Sequence, residues 1–155
     1  MSKHTLWFSA LFLLLVACVS TAVHALPPGF QEITVFQGLQ GPTAVRFAPD
    51  NSVFVSQLAG VVVHYDNISD TTATITADLT SDVQSGNGDV GLLGLAVHPQ
   101  YGQNVGKDFI YALYTRKNTV TPSGRLLKIA VNPATGVMIT VDVDVPTMTT
   151  RTYPA

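Results

Sequence analysis

Gly91-Leu92-Leu93-Gly94-Leu95-Ala96-Val97-His98-Pro99 is a short apolar run closed by proline. About fifty positions earlier, Pro42-Thr43-Ala44-Val45-Arg46-Phe47-Ala48-Pro49 follows the same plan. In each copy a polar turn and a second β-rich run come after the proline: Val53-Phe54-Val55-Ser56 in the first, Phe109-Ile110-Tyr111-Ala112-Leu113-Tyr114-Thr115 in the second. Runs dense in β-branched and aromatic residues, bounded by Pro, Gly and Asn, read as strands. A repeat of this length with several strands per unit points to small sheets stacked radially, because one such sheet cannot cover its own apolar face.

Working outward, the first unit divides into Thr43–Phe47, Val53–Ser56, Val61–Tyr65 and Thr72–Ala77, with turn chemistry at Pro49-Asp50-Asn51 and Ala59-Gly60. The second divides into Leu92–Val97, Phe109–Thr115, Arg125–Val131 and Val137–Val145. Its breaks fall at Pro99–Lys107, Asn118–Gly124 and Asn132–Gly136. Ile33–Phe36 predicts one further strand, of the kind that closes a ring of sheets. No helical periodicity is visible beyond the leader. The fold class expected is therefore all-β: a β-propeller fragment of about two four-stranded antiparallel blades.

Several stretches together resemble the start of the glucose/sorbosone dehydrogenase family. They are Leu26-Pro27-Pro28-Gly29-Phe30, Gly41 through Asp50, Asp89-Val90-Gly91-Leu92-Leu93-Gly94-Leu95-Ala96, His98-Pro99 and Tyr111-Ala112-Leu113-Tyr114. The resemblance runs from about Leu26 to Val145 and covers the opening of the family only. It implies a six-bladed propeller that oxidises sugars with pyrroloquinoline quinone (PQQ), aided by calcium and re-oxidised by an external electron acceptor. Six units of roughly 40 to 50 residues do not fit in 155 residues, so the sequence reads as an N-terminal part, residues 26–155, of such a domain.

Residues 1–25 read as a signal peptide. Lys3 and His4 precede the apolar stretch Leu6–Ala17, which is shorter than the roughly 20 residues a membrane span requires. Two cleavage sites are open: after Ala25, giving a secreted or periplasmic protein, or before Cys18, where Leu15-Val16-Ala17-Cys18 has the form of a bacterial lipobox and would anchor the domain by acyl chains. Cys18 is the single cysteine, which excludes disulfides, a thiol nucleophile and a cysteine-based zinc site from the mature domain. With Lys3 lost, seven Lys and Arg face ten Asp and Glu, and the basic residues are scattered. Nucleic acid is not an expected partner, since binding it needs clustered positive charge.

Among site candidates Asp89 comes first. Two positions before the first glycine of the G-L-L-G string, it stands where the resemblance implies a residue close to the quinone, a place that some relatives fill with Gln. A carboxylate there accepts hydrogen bonds from sugar or cofactor; the alternative is that Asp89 ends a polar loop and caps backbone N–H groups. Ser85-Gly86-Asn87-Gly88-Asp89 is no phosphate cradle, because a strand and not a helix follows. Calcium would draw on Asp82, Asn87 and Asp89, yet the EF-hand spacing with its final Glu is missing.

A sugar dehydrogenase needs a base for the C1 hydroxyl proton while hydride passes to the quinone, and His suits that task near neutral pH. His64 and His98 are the only histidines past the leader. Both read as satisfied or solvent-facing strand residues, and the resemblance places the catalytic His in a later blade. No catalytic residue and no metal site are assigned. Phe109, Tyr111 and Tyr114 read as sheet packing, and Asn67-Ile68-Ser69 is a glycosylation acceptor only in a eukaryotic secretory pathway. The expected function is an exported PQQ-dependent aldose dehydrogenase whose present chain is inactive alone. The other readings are a propeller-type binding or scaffold module, self-associating through open blade edges, and a non-functional remnant.

Overall fold

A computed structural model describes residues 27–86, 88–117 and 123–142. The leader with Cys18, Asn87 and the residues after Asp142 lie outside the described residues. Residues 27–33 belong to a separate unit, in which Phe30 N donates to Pro27 O across a turn at Pro28-Gly29.

From Thr34 onward the chain folds into two four-stranded antiparallel meanders. The first is β1 (Pro42–Phe47), β2 (Val53–Gln57), β3 (Val61–Tyr65) and β4 (Thr74–Asp78). The second is β5 (Leu92–Val97), β6 (Phe109–Thr115), β7 (Gly124–Val131) and β8 (Met138–Asp142). Each sheet pairs its strands in sequence order. No helix occurs among the described residues, and none is long and apolar enough to cross a membrane.

Period-2 alternation decides which residues meet. In the first sheet Phe54, Val62 and Ala77 point to one face and join Leu92, Leu95, Ile110, Ala112, Tyr114, Leu127, Ile129 and Val131 of the second in a single core. The opposite face of the first sheet carries Val53, Val55, Val63 and Tyr65, covered by Phe36, Leu39 and Val61. Both faces of β2 are therefore buried. On that second face Val45 and Phe47 stand in register with Val55 and Val53, and Ile75 with Val63, yet all three remain exposed.

Two expectations are corrected. Ile33–Phe36 forms no strand: the segment makes no ladder among the described residues, and Phe36 is held instead by stacking on Tyr65, ring centroids 3.9 Å apart. The last strand of the first sheet begins at Thr74 and not at Thr72, because Asp70 accepts hydrogen bonds from Asp66 N and Thr72 N and holds that stretch in a turn. Of the predicted Val137–Val145 strand, Met138–Asp142 is described.

Candidate functional site

The strand directions give the second sheet two distinct ends. One holds the start of β5, the end of β6 and the start of β7, and here the chain arrives from β4 through Leu79–Val90. Asp89 lies in this stretch, exposed, three residues ahead of Leu92. Its carboxylate hydrogen-bonds to no described residue, so the capping alternative is not realised among them.

The glycines after Asp89 have a steric cause. Gly91 is buried at φ 147°, and Leu92 N donates to Leu58 O of the β2–β3 turn at 3.0 Å. A Cβ on Gly91 would lie 2.7 Å from that same oxygen. Gly94 sits at a register shift in the β5–β6 ladder, where a Cβ would press on Leu113. The G-L-L-G string thus sets how closely β5 approaches the first sheet. Thr43 Oγ1 adds a hydrogen bond to Leu92 O at 2.7 Å.

Asp82 organises the same end. Its Oδ2 accepts from Tyr114 Oη at 2.5 Å and from Arg125 Nη1 at 2.8 Å, and its Oδ1 lies 3.8 Å from Arg116 Nε. The Tyr114 hydroxyl, with help from Arg125 and Arg116, holds the Asp82 carboxyl below its ordinary value against a desolvation that pushes the other way. Burial and the hydrogen bond to Asp82 in turn raise the Tyr114 phenol. Lys117 Nζ donates to Thr80 O at 3.0 Å, which completes a cationic collar of Arg116, Lys117 and Arg125.

Asp82 is already neutralised by two guanidinium groups, and no group of three or more His, Cys, Asp and Glu able to hold a metal occurs among the described residues. Sequence reasoning weighed Asp82 only as a metal ligand and missed the network. The signal was available: Arg125 shares the inward phase of Leu127, Ile129 and Val131, and a cation in that phase requires an anion beside it.

Neither histidine is at this end. β5 spans about 20 Å at roughly 3.3 Å per residue, and His98 follows its far end. There His98 Nδ1 accepts from Gln100 N at 3.1 Å and the ring meets Phe109 edge-on. His64 is 2% exposed and, contrary to the expectation of a satisfied residue, its Nε2 has no partner among the described residues. Also at the far end is a cavity of about 460 Å³, lined by Asp108, Phe109, Lys128, Asn132 and Thr140. Lys128 Nζ lies 4.4 Å over the Phe109 ring there.

Comparison with known proteins places this architecture. Residues 39–140, from ahead of β1 into β8, match the family model for glucose/sorbosone dehydrogenases. The chain belongs to this family. A crystal structure of a Thermus thermophilus protein assigned as an oxidoreductase (glucose dehydrogenase) is similar at 26% identity and a TM-score of 0.52. The match covers 69% of this chain and 29% of that one, so the chain spans under a third of the length of its structural relative. No curated protein matches. The all-β class and the family resemblance of the sequence are thereby both found.

Proposed function

We propose that this chain supplies two blades, and part of the cofactor-facing end, of an exported PQQ-dependent aldose dehydrogenase built as a β-propeller. The observation that carries this is the placement of Asp89. An exposed carboxylate precedes a β5 locked to the first sheet, at the one end of the second sheet where Arg116, Lys117 and Arg125 gather.

The chemistry of this donor set fits PQQ in part. Its carboxylates suit the arginine and lysine collar, while Asp89 suits an N–H of the cofactor or a hydroxyl of the sugar as hydrogen-bond acceptor. When bound, PQQ supplies a two-electron acceptor. The chain's own contribution is to orient: Asp89 accepts from cofactor or sugar, and the collar offers positive charge. Neither histidine stands at this end, in keeping with a catalytic His supplied by a further blade. Calcium, implied by the family, finds no ligand set among the described residues. Export rests on residues 1–25.

The test is calorimetric titration of the chain with PQQ. Binding is expected, and Asp89→Ala should weaken it about tenfold, the worth of one charge-assisted hydrogen bond; a wild-type chain that does not bind PQQ overturns the reading. With glucose, PQQ and a dye, the chain alone is expected to show no dye reduction.

A second reading, a self-associating scaffold, is favoured by the exposed apolar side chains Val45 and Phe47 on β1 and Ile75 on β4, the two outer strands of the first sheet.

A further inference from the structure

The stretch that carries Asp89 leaves and rejoins the second sheet at a single residue. Gln84 N donates to Thr115 O at 2.8 Å before it, and Thr115 N donates to Gly91 O at 3.0 Å after it. An excursion with both feet on one residue keeps its shape only if each foot is fixed. The rear foot is fixed by packing, since buried Gly91 is wedged against Leu58.

The front foot is seated on Val83, 1% exposed and so close to Gly60 that a Cβ there would meet Val83 Cγ2 at 2.9 Å, and it carries a side-chain tie besides. Leu79–Val83 make a single turn, with Asp82 N and Val83 N both donating to Leu79 O. This turn docks on β6 through Lys117 N to Asp82 O at 2.7 Å and through the Val83–Arg116 bridge. The side-chain tie is Asp82, which reaches across to Tyr114, next to Thr115 on β6, and to Arg125, which faces Tyr114 from β7. Without the carboxylate, two guanidinium groups and a largely buried phenol would face one another with no anion between them.

We propose that Asp82 is a positioning residue for Asp89: by tying Tyr114, Arg125 and Arg116 together it fixes the foot from which the Asp89 stretch departs. The role of the stretch in cofactor binding rests on the reading given above; its ordering by Asp82 does not.

Hydrogen exchange on the full chain tests this. In Asp82→Asn, exchange at the amides of Gln84 and Lys117, whose hydrogen bonds to Thr115 O and Asp82 O hold the front foot, is expected to rise at least tenfold while the β2–β3 amides keep their wild-type protection. The double replacement Asp82→Asn with Arg125→Gln, which restores a neutral hydrogen-bonding pair, is expected to recover most of the protection. A uniform rise over both sheets, or no local rise, overturns the proposal. Should Asp82→Asn fail to fold, Tyr114→Phe removes one of the ties and should give a smaller rise at the same two amides, about threefold. If the local rise appears and is rescued while neither wild type nor variant binds PQQ, the positioning role stands and the cofactor reading fails.

Discussion

Gly91 lies so close to Leu58 that a Cβ on it would meet both the Leu58 carbonyl oxygen, at 2.7 Å, and its Cδ1, at 2.5 Å. The oxygen cannot withdraw, because it accepts the hydrogen bond from Leu92 N that ties the two sheets. Gly91→Ala therefore combines overpacking against backbone with a φ of 147° that L-residues avoid. We expect a loss of about 2–4 kcal/mol in urea unfolding. A loss under about 0.5 kcal/mol would show that the sheets reseat freely at this seam.

The same seam shows what was legible in the sequence. β3, β5 and β6 run over the spans predicted, because each is a Val-, Ile-, Leu- or Tyr-rich run cut off sharply by Gly, Pro or Asp. Thr34-Val35-Phe36 has equal strand propensity yet forms none, since propensity supplies no neighbour to pair with and Phe36 is held by Tyr65 instead. Asp89 could be singled out only through the family resemblance carried by the G-L-L-G string. The Asp82 network could not, because it joins residues 32 and 43 positions apart that only the docking of the inter-sheet turn onto β6 brings together.

His64 makes stability depend on pH. Burial lowers its pKa from 6.5, outweighing Asp66, whose Oδ1 is 3.8 Å from Nδ1, and the more distant Asp50 and Asp70. Facing it are Phe54 on β2, Thr74 on β4 and Gly136 of the β7–β8 turn, none of them anionic. The unfolded chain protonates its histidine near 6.5 and the folded chain only at lower pH, so between those values the unfolded state holds more protons. Stability should thus fall as pH drops below about 6.5. Urea unfolding between about pH 7.5 and 5.5 should show this slope, and His64→Phe should flatten it; an unchanged slope in the variant would assign the effect elsewhere.

Phe47 is 64% exposed beside Val45 on β1, and Ile75 is exposed on β4, so both outer strands of the first sheet present apolar side chains. Apolar surface of this kind drives association. Light scattering of the chain over a concentration series should give a mass above that of a monomer, and Phe47→Lys should lower it. A monomer at every concentration would remove the scaffold reading.

Gly136 offers the sharpest test of how the sheets are joined. It is buried at φ 67° in the turn between β7 and β8, and a Cβ there would collide with Nδ1 of His64 on the other sheet. Two separate costs attend Gly136→Ala: left-handed backbone for an L-residue, about 1–2 kcal/mol, and collision with the imidazole, about 1–3 kcal/mol. Only the second depends on His64. In a double-mutant cycle, His64→Ala should relieve the collision and leave the backbone cost, a coupling of about 1 kcal/mol or more. Strict additivity would mean that the turn moves off His64 on its own, and that the second sheet does not hold the buried imidazole in place.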